Sequence, residues 1–344
     1  MRILLWIVVG LAGAELGLRW VYLFQGRTPD MWRTVPFSRL GGELAGLWVH
    51  DEALGWIPKR STTSEATREH PKYTIVGDAT RSNGPGSIRS VRPILAVGDS
   101  FTFGQGVGDG ETWPAQLERR VGVQVINGGV FGYGLDQTVL RIPRLLRNEI
   151  QQVIVSLIPE DIHRMRFSFL FGLQKPFFSL KGDELLVGNT PVPQSPFPSA
   201  LVKGIPQFLF NSALVNFGVR RILPEGSVLR SQFATPVVQD EVDEEKVYCA
   251  LLKRIELSVG GRPVTLLIQS SHDLARGRDT MEKLAACTRG SGFSIVDVIP
   301  ELESLRTRDW KQYEGLFRGH LTAAGNAWVA ERVAASLSTT SALP

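Results

Sequence analysis

The chain has 344 residues, of which 43% are hydrophobic, and its 38 basic and 34 acidic side chains give a formal net charge of +4. This length is enough to bury one large core, either as one domain with appendages or as two domains. The charge excess is small and no basic run with interleaved aromatic residues occurs, which argues against a nucleic-acid partner.

The first predicted element is an apolar segment over residues 3–24, in which Glu15 and Arg19 are the only charged residues. As a helix it would measure about 33 Å, enough to cross the hydrocarbon core of a bilayer. The two charges stand four residues apart and could pair on one helix face. We therefore predict a transmembrane anchor over residues 1–24, with the rest of the chain on the extracytoplasmic (periplasmic) side. A cleaved signal peptide with its cleavage site near residues 12–14 is the alternative.

Residues 25–90 have mixed composition and many turn formers, and they are interpreted as a stalk or lead-in without a core of its own. A regular alternation begins at Pro93. It predicts, in chain order, a strand at 93–97, a helix at 112–120, a strand at 123–127, a helix at 136–148 and a strand at 152–158. Such alternation is typical of a parallel α/β sheet, in which ligands bind at the carboxyl ends of the strands.

The alternation breaks over about residues 163–240, which we interpret as an insertion that could cover or border the site. Within it, residues 175–187 predict a β-hairpin, and a proline-rich segment at 191–198 follows. The alternation then resumes with a helix at 241–258, a strand at 263–269, a helix at 278–288, a strand at 293–296 and a helix at 322–337. The predicted α/β domain therefore covers residues 91–337 and leaves a tail at 338–344.

The chain contains two cysteines, Cys249 and Cys287, too few for a disulfide framework. We expect them to lie in separate helices as buried free thiols, with a single disulfide in an oxidising compartment as the alternative. No spacing of Cys or His indicates a metal site.

Three motifs follow the predicted strands or precede the last helix. Ser100 lies in the glycine-rich turn Gly98–Gly104 after the first strand, a second glycine-rich segment runs from Asn127 to Gly134, and His320 precedes the last helix. In this order and spacing they resemble the SGNH/GDSL hydrolase family over about residues 91–337. The resemblance implies a flavodoxin-like, three-layer α/β/α fold and an esterase or acyl-transfer activity that needs no cofactor or metal.

The resemblance also assigns roles to particular residues. Ser100 corresponds to the nucleophile and His320 to its general base, a task that suits a side chain titrating near neutrality. The backbone amides of Ser100 and Gly132 correspond to the oxyanion hole. We interpret two further histidines, His163 and His272, as structural or surface residues.

The chain departs from the family pattern at two positions. Glu160 stands where the family has an asparagine that donates to the oxyanion, and an ionised carboxylate cannot donate. Phe317 stands three residues before His320, where the family has the acid that orients the base. Candidate supporting acids are Glu160 and Asp161, followed by Asp309 and Glu314.

The family resemblance implies a serine esterase and, together with the predicted export of the chain, suggests by analogy that it removes acyl groups, notably acetyl, from an envelope or secreted carbohydrate. The first alternative is an O-acyltransferase that uses the same Ser100 and His320 on a polysaccharide. The second is a catalytically silent glycan-binding or scaffold protein, which is supported by the two departures from the family pattern at Glu160 and Phe317. Expected partners are the acylated small-molecule or polysaccharide substrate, the membrane through the N-terminal helix, and polysaccharide-assembly proteins of the envelope.

Overall fold

The computed structural model describes residues 2–24, 45–66, 71–170, 173–194, 212–222, 243–271 and 274–339. Its helices are α1 (Arg2–Phe24), α2 (Ser100–Phe103), α3 (Trp113–Val121), α4 (Leu135–Leu145), α5 (Pro159–Arg164), α6 (Ala213–Ile222), α7 (Glu244–Val259), α8 (Leu274–Gly290), α9 (Ile299–Arg308), α10 (Trp310–Gly315) and α11 (Ala323–Thr339). Its strands are β1 (Trp48–Asp51), β2 (Gly55–Pro58), β3 (Thr62–Thr63), β4 (Thr74–Ile75), β5 (Ile94–Val97), β6 (Val125–Asn127), β7 (Gln152–Leu157), β8 (Phe169–Leu170), β9 (Leu173–Gln174), β10 (Phe177–Lys181), β11 (Glu184–Gly188), β12 (Val264–Ile268), β13 (Ser294–Asp297), β14 (Phe317–Arg318) and β15 (His320–Leu321).

The centre of the fold is a five-stranded parallel sheet in the order β13-β12-β7-β5-β6. Numbered along the chain, these strands run 2-1-3-4-5 across the sheet, which is the flavodoxin-like order. The predicted parallel α/β sheet is therefore confirmed. In this order the ligand crevice opens where the direction of winding reverses, here at the carboxyl ends of β5 and β7.

Helices cover both faces of the sheet, because successive side chains of each buried strand point to opposite sides. On β5, Leu95 and Val97 join a hydrophobic cluster with α4, α7 and α8. Ile94 and Ala96 join a second cluster with α3, α9 and α11. The result is three layers, with the sheet buried between two helical layers.

The lead-in segment packs against the domain and supplies a third hydrophobic cluster. Trp48, Leu54, Trp56 and Tyr73 belong to the same cluster as Phe103, which ends α2, and as Phe131 and Tyr133 of the loop that follows β6. Residues 45–66 and 71–90 of the segment predicted as a stalk thus contribute to the hydrophobic core of the domain. Residues 25–44 and 67–70 lie outside the described ranges.

Helix α1 forms where the apolar N-terminal segment predicts a helix, but the transmembrane span is not supported. Within the described ranges, no helix combines the length and the apolar character that crossing a bilayer requires. The apolar run is interrupted by the ion pair of Glu15 and Arg19, whose atoms lie 2.7 Å apart. Glu15 also accepts hydrogen bonds from the amides of Ala213 and Leu214 at the start of α6, both at 2.9 Å.

The prediction of two free thiols is wrong. Cys249 on α7 and Cys287 on α8 form a disulfide, and their Cα atoms lie 5.4 Å apart. The two cysteines do lie in separate helices as expected, but these helices pack side by side over the sheet and place the thiols within bonding distance.

The predicted hairpin in the insertion is confirmed as β10 and β11, which pair antiparallel from Phe177↔Gly188 to Lys181↔Glu184. Phe178 of β10 is fully buried in the cluster formed with α4 and α7. The hairpin therefore packs against the helical layer on that face. Residues 171–172, 195–211 and 223–242 of the insertion, which include part of the proline-rich segment, lie outside the described ranges.

Candidate active site

Ser100 lies at the carboxyl end of β5, at the point where the sheet order places the ligand crevice. Asp99 caps the short helix α2 by accepting a hydrogen bond from the Phe101 amide at 2.8 Å, which fixes the backbone around Ser100. Gly98 makes the turn possible, because a Cβ there would lie 2.3 Å from Thr102 Oγ1 and 2.6 Å from the Ser156 carbonyl. The sharp turn thus holds the Ser100 hydroxyl at the strand exit with little conformational freedom.

His320 reaches Ser100 from the opposite end of the chain. It lies on β15, which pairs with β14 so that Arg318 and His320 are opposite each other. Its Nε2 atom lies 3.0 Å from Ser100 Oγ, and its ring packs at 5.1 Å from the Phe101 ring. The structure therefore brings the two predicted catalytic side chains into hydrogen-bond distance, as a general base requires.

The glycine-rich segment after β6 is held beside Ser100 by backbone hydrogen bonds. The amide of Gly128 donates to the Ala96 carbonyl at 2.7 Å, and the amide of Val130 donates to the Gly98 carbonyl at 3.0 Å. Gly132 has φ +71°, a conformation that favours glycine. Within the described ranges, the amides of Ser100 and Gly132 donate to no protein acceptor, which leaves both available to an oxyanion.

The candidate supporting acids have other contacts. Asp161 uses both oxygens, accepting from the Ile158 amide at 3.0 Å and from Arg164 at 2.6 Å. Asp309 caps α10 through the Gln312 amide at 2.9 Å, and Glu314 is exposed on that helix. Glu160 accepts from the Ser271 hydroxyl at 2.6 Å through Oε1, while its buried Oε2 has no hydrogen-bond partner within the described ranges.

Phe317 cannot act as an orienting acid, and the structure shows what the position does instead. Its side chain is buried in the cluster with α3 and α11, and its ring lies 5.4 Å from that of Tyr313 on α10. The residue three positions before His320 is therefore part of the hydrophobic core.

A buried charge cluster behind Ser100 was not predicted from the sequence. Arg164, at the end of α5, places Nη1 at 2.6 Å from Asp161 Oδ1, 3.4 Å from Asp99 Oδ2 and 2.9 Å from the Tyr133 carbonyl oxygen. Arg164 follows Asp161 by three residues on one helix, which is the only signal that the sequence offered.

This cluster changes the proton affinity of its carboxyl groups. Burial raises the pKa of Asp161 well above its ordinary value, and the charge of Asp99 raises it further. Burial also raises the pKa of Asp99, while Arg164 opposes that rise. For Arg164, burial lowers the pKa, but the charges of Asp161, Asp99 and Glu160 outweigh it, so that its pKa is raised and it stays a cation.

The Ser100 hydroxyl has two acceptors within reach. His320 Nε2 lies at 3.0 Å, and Asp99 Oδ2 lies at 3.3 Å on the side of Arg164. Of these two acceptors, the imidazole is the group that can take a proton near neutral pH and then return it.

Two further histidines, His163 and His272, were predicted to be structural or surface residues. His163 Nδ1 lies 3.2 Å from Glu244 Oε1, and its ring contacts Phe167 edge-on at 5.3 Å, so its contacts link α5 to α7. His272 lies outside the described ranges.

No family model matches the chain, and no curated protein matches it. The solved structures to which it is similar include a lipase/acylhydrolase from Enterococcus faecalis, at 10% identity and TM-score 0.41 over 72% of this chain and 96% of that one. Another is a catalytic mutant of an acetylxylan esterase from Geobacillus stearothermophilus, at 13% identity and TM-score 0.40 over 73% of this chain and 96% of that one. Because these identities and TM-scores are low, the strand order and the site geometry carry the interpretation.

Proposed function

We propose that this chain is a serine ester hydrolase of the SGNH/GDSL type, with Ser100 as nucleophile and His320 as general base. The observation that carries the proposal is the 3.0 Å contact between Ser100 Oγ and His320 Nε2, formed by residues from opposite ends of the domain at the crevice of a flavodoxin-like sheet. The same contact speaks against the catalytically silent alternative, which a wide separation of these two atoms would have favoured.

In the proposed reaction, His320 Nε2 takes the Ser100 proton while Oγ bonds to the ester carbonyl carbon. The carbonyl oxygen becomes an oxyanion and accepts hydrogen bonds from the amides of Ser100 and Gly132. His320 then protonates the leaving alcohol as the C–O bond breaks, which leaves an acyl group on Ser100. Water, deprotonated by the same imidazole, attacks the acyl carbon and releases the carboxylic acid and the serine hydroxyl.

The substrate class is proposed as an acyl group, notably acetyl, on a carbohydrate outside the cytoplasm. The disulfide of Cys249 and Cys287 supports an oxidising, extracytoplasmic compartment, because such bonds are rare in reducing ones. We also propose that the N-terminal segment contacts a membrane and that the chain interacts with polysaccharide-assembly proteins of the envelope.

The test is hydrolysis of p-nitrophenyl acetate by the purified chain and by Ser100→Ala, with Ser338→Ala, an exposed serine on α11, as the matched control. We expect Ser100→Ala to lose activity and Ser338→Ala to keep it. A fluorophosphonate probe should label the wild type and the control on Ser100 but not the Ser100→Ala variant. Equal hydrolysis by the wild type and Ser100→Ala would overturn the proposal.

The same assay separates hydrolysis from acyl transfer. With a saturating oligosaccharide acceptor, hydrolysis gives only acetate, whereas a transferase gives acetylated sugar that mass spectrometry detects. Acetylated sugar as the main product would replace the hydrolase proposal by the transferase with the same Ser100 and His320.

A further inference from the structure

Trp56 makes a hydrogen bond that fixes one particular peptide group of the candidate site. This residue lies on β2 in the lead-in segment, is 1% exposed, and donates from its indole Nε1 to the Phe131 carbonyl oxygen at 2.9 Å. The acceptor is distant in sequence and belongs to the glycine-rich segment after β6. The lead-in segment thus contacts the loop that carries Gly132.

The Phe131 carbonyl and the Gly132 amide belong to the same peptide group. Because that group is planar and trans, its C=O and N–H point in opposite directions. Holding the carbonyl on the Trp56 side therefore turns the Gly132 N–H to the other side. A hydrogen bond accepted by the carbonyl also polarises the amide and makes its N–H a better donor.

Further contacts hold Trp56 and this loop together. The Tyr133 hydroxyl donates to the Trp56 carbonyl oxygen at 2.5 Å, and the two rings meet edge-on at 5.6 Å. Gln137, on α4, donates to the neighbouring Leu54 carbonyl at 2.8 Å. Phe131 and Tyr133, on either side of Gly132, are therefore both hydrogen-bonded to Trp56 of β2.

We propose that Trp56 is a positioning residue of the oxyanion hole, which orients the Gly132 amide through its hydrogen bond to the Phe131 carbonyl. The proposal rests on the proposed function and adds to it a residue outside the three motifs. It gives the lead-in segment a part in the reaction, although that segment supplies no group that touches the substrate.

The chain offers a matched control in Trp48, which belongs to the same aromatic cluster. Its ring lies 6.3 Å from Phe131 and 5.5 Å from Phe103, and it is 8% exposed. Its buried Nε1 has no hydrogen-bond partner in the described part of the chain. Trp48→Phe and Trp56→Phe therefore remove similar volume from one cluster, but only Trp56→Phe removes a hydrogen bond to the loop.

The experiment compares kcat and KM for p-nitrophenyl acetate in the full-length wild type, Trp56→Phe, Trp48→Phe and Ser100→Ala. We expect Trp56→Phe to lower kcat about tenfold with KM unchanged, because a misaligned donor loses part of the roughly 10²–10³-fold that one oxyanion donor contributes in a protease. Trp48→Phe should stay within about twofold of the wild type in kcat, since it breaks no such bond. Equal kcat in the two Trp variants would overturn the positioning role.

Two additions keep the outcomes distinct. If Trp56→Phe does not fold, as judged by its thermal melt, incorporation of benzothienylalanine at position 56 removes the N–H while keeping the ring shape, and the same fall in kcat is expected. Unchanged kcat in that variant overturns the proposal. Activity in Ser100→Ala equal to that of the wild type would instead overturn the proposed function itself.

Discussion

Arg164 bridges two buried carboxylates, and one of them, Asp99, immediately precedes Ser100. The guanidinium lies 3.4 Å from Asp99 and 2.6 Å from Asp161, and both carboxyl groups are almost fully excluded from solvent. One cation thus balances two acids directly behind the proposed nucleophile. Buried charges of this kind are costly unless each has a partner.

The first prediction concerns removal of that cation. Arg164→Gln leaves Asp99 and Asp161 facing each other, and we expect it to lower the free energy of unfolding by about 3–5 kcal/mol. At a pH high enough to ionise both carboxyl groups, the double variant Arg164→Gln/Asp161→Asn removes one of the two negative charges and should recover a large part of that loss. Urea unfolding monitored by circular dichroism measures both. A double variant no more stable than Arg164→Gln would show that the cluster is not held by charge balance.

The second prediction concerns Glu160, whose Oε2 is buried without a hydrogen-bond partner among the described residues. Glu160→Gln keeps the size of the side chain and replaces a carboxylate by an amide that can donate. If this position faces the oxyanion as the family resemblance implies, kcat should rise, by at most the roughly 10²–10³-fold that one donor contributes. Glu314→Gln, an exposed carboxylate on α10, serves as the control. A large fall in kcat for Glu160→Gln would instead indicate that the carboxylate itself supports the reaction.

The third prediction concerns the disulfide of Cys249 and Cys287, which closes a loop with a sequence separation of 38 residues. A loop of this length predicts a stabilisation of about 4 kcal/mol by restriction of the unfolded chain. Dithiothreitol should therefore lower the melting temperature of the wild type. The variant Cys249→Ser/Cys287→Ser should melt, with or without dithiothreitol, at the temperature at which the dithiothreitol-treated wild type melts. Titration of the unfolded, unreduced chain should find no thiols. Two reactive thiols would contradict the bond.

The sequence predicted those parts of the fold that follow from local patterning. The strands at 93–97, 123–127 and 152–158 and the helices between them lie within a few residues of β5, β6, β7, α3 and α4. Their nearly continuous hydrophobic runs suffice for this, because strands that are buried on both faces between helical layers show such runs. The pairing of Ser100 with His320 followed from the resemblance of the three motifs to the SGNH/GDSL family rather than from local patterning, because the two residues are 220 positions apart.

Contacts between distant segments were not predictable from local pattern. The packing of Trp56 on the Gly132 loop depends on the path of an irregular lead-in whose composition indicates only turns. The disulfide depends on the relative placement of α7 and α8. For Arg164, the sequence shows Asp161 one turn away but gives no sign that Asp99, on another loop, completes the cluster.

The fourth prediction concerns pH and follows from the raised pKa of Asp161. A group whose pKa is higher in the folded than in the unfolded protein contributes stability that is fully present below its unfolded value, here 3.8, and is lost as the pH rises through the folded value. Asp161→Asn removes this titration while keeping the side-chain shape. The free energy of unfolding of the wild type, relative to Asp161→Asn, should therefore fall as the pH rises above about 4, by at most about 1.4 kcal/mol per pH unit. Urea unfolding of both proteins between about pH 4 and pH 8 measures the difference. A difference that is constant with pH would mean that Asp161 ionises equally readily in the folded and unfolded protein, and one that grows as the pH rises would mean that it ionises more readily in the folded protein; either result would contradict the prediction.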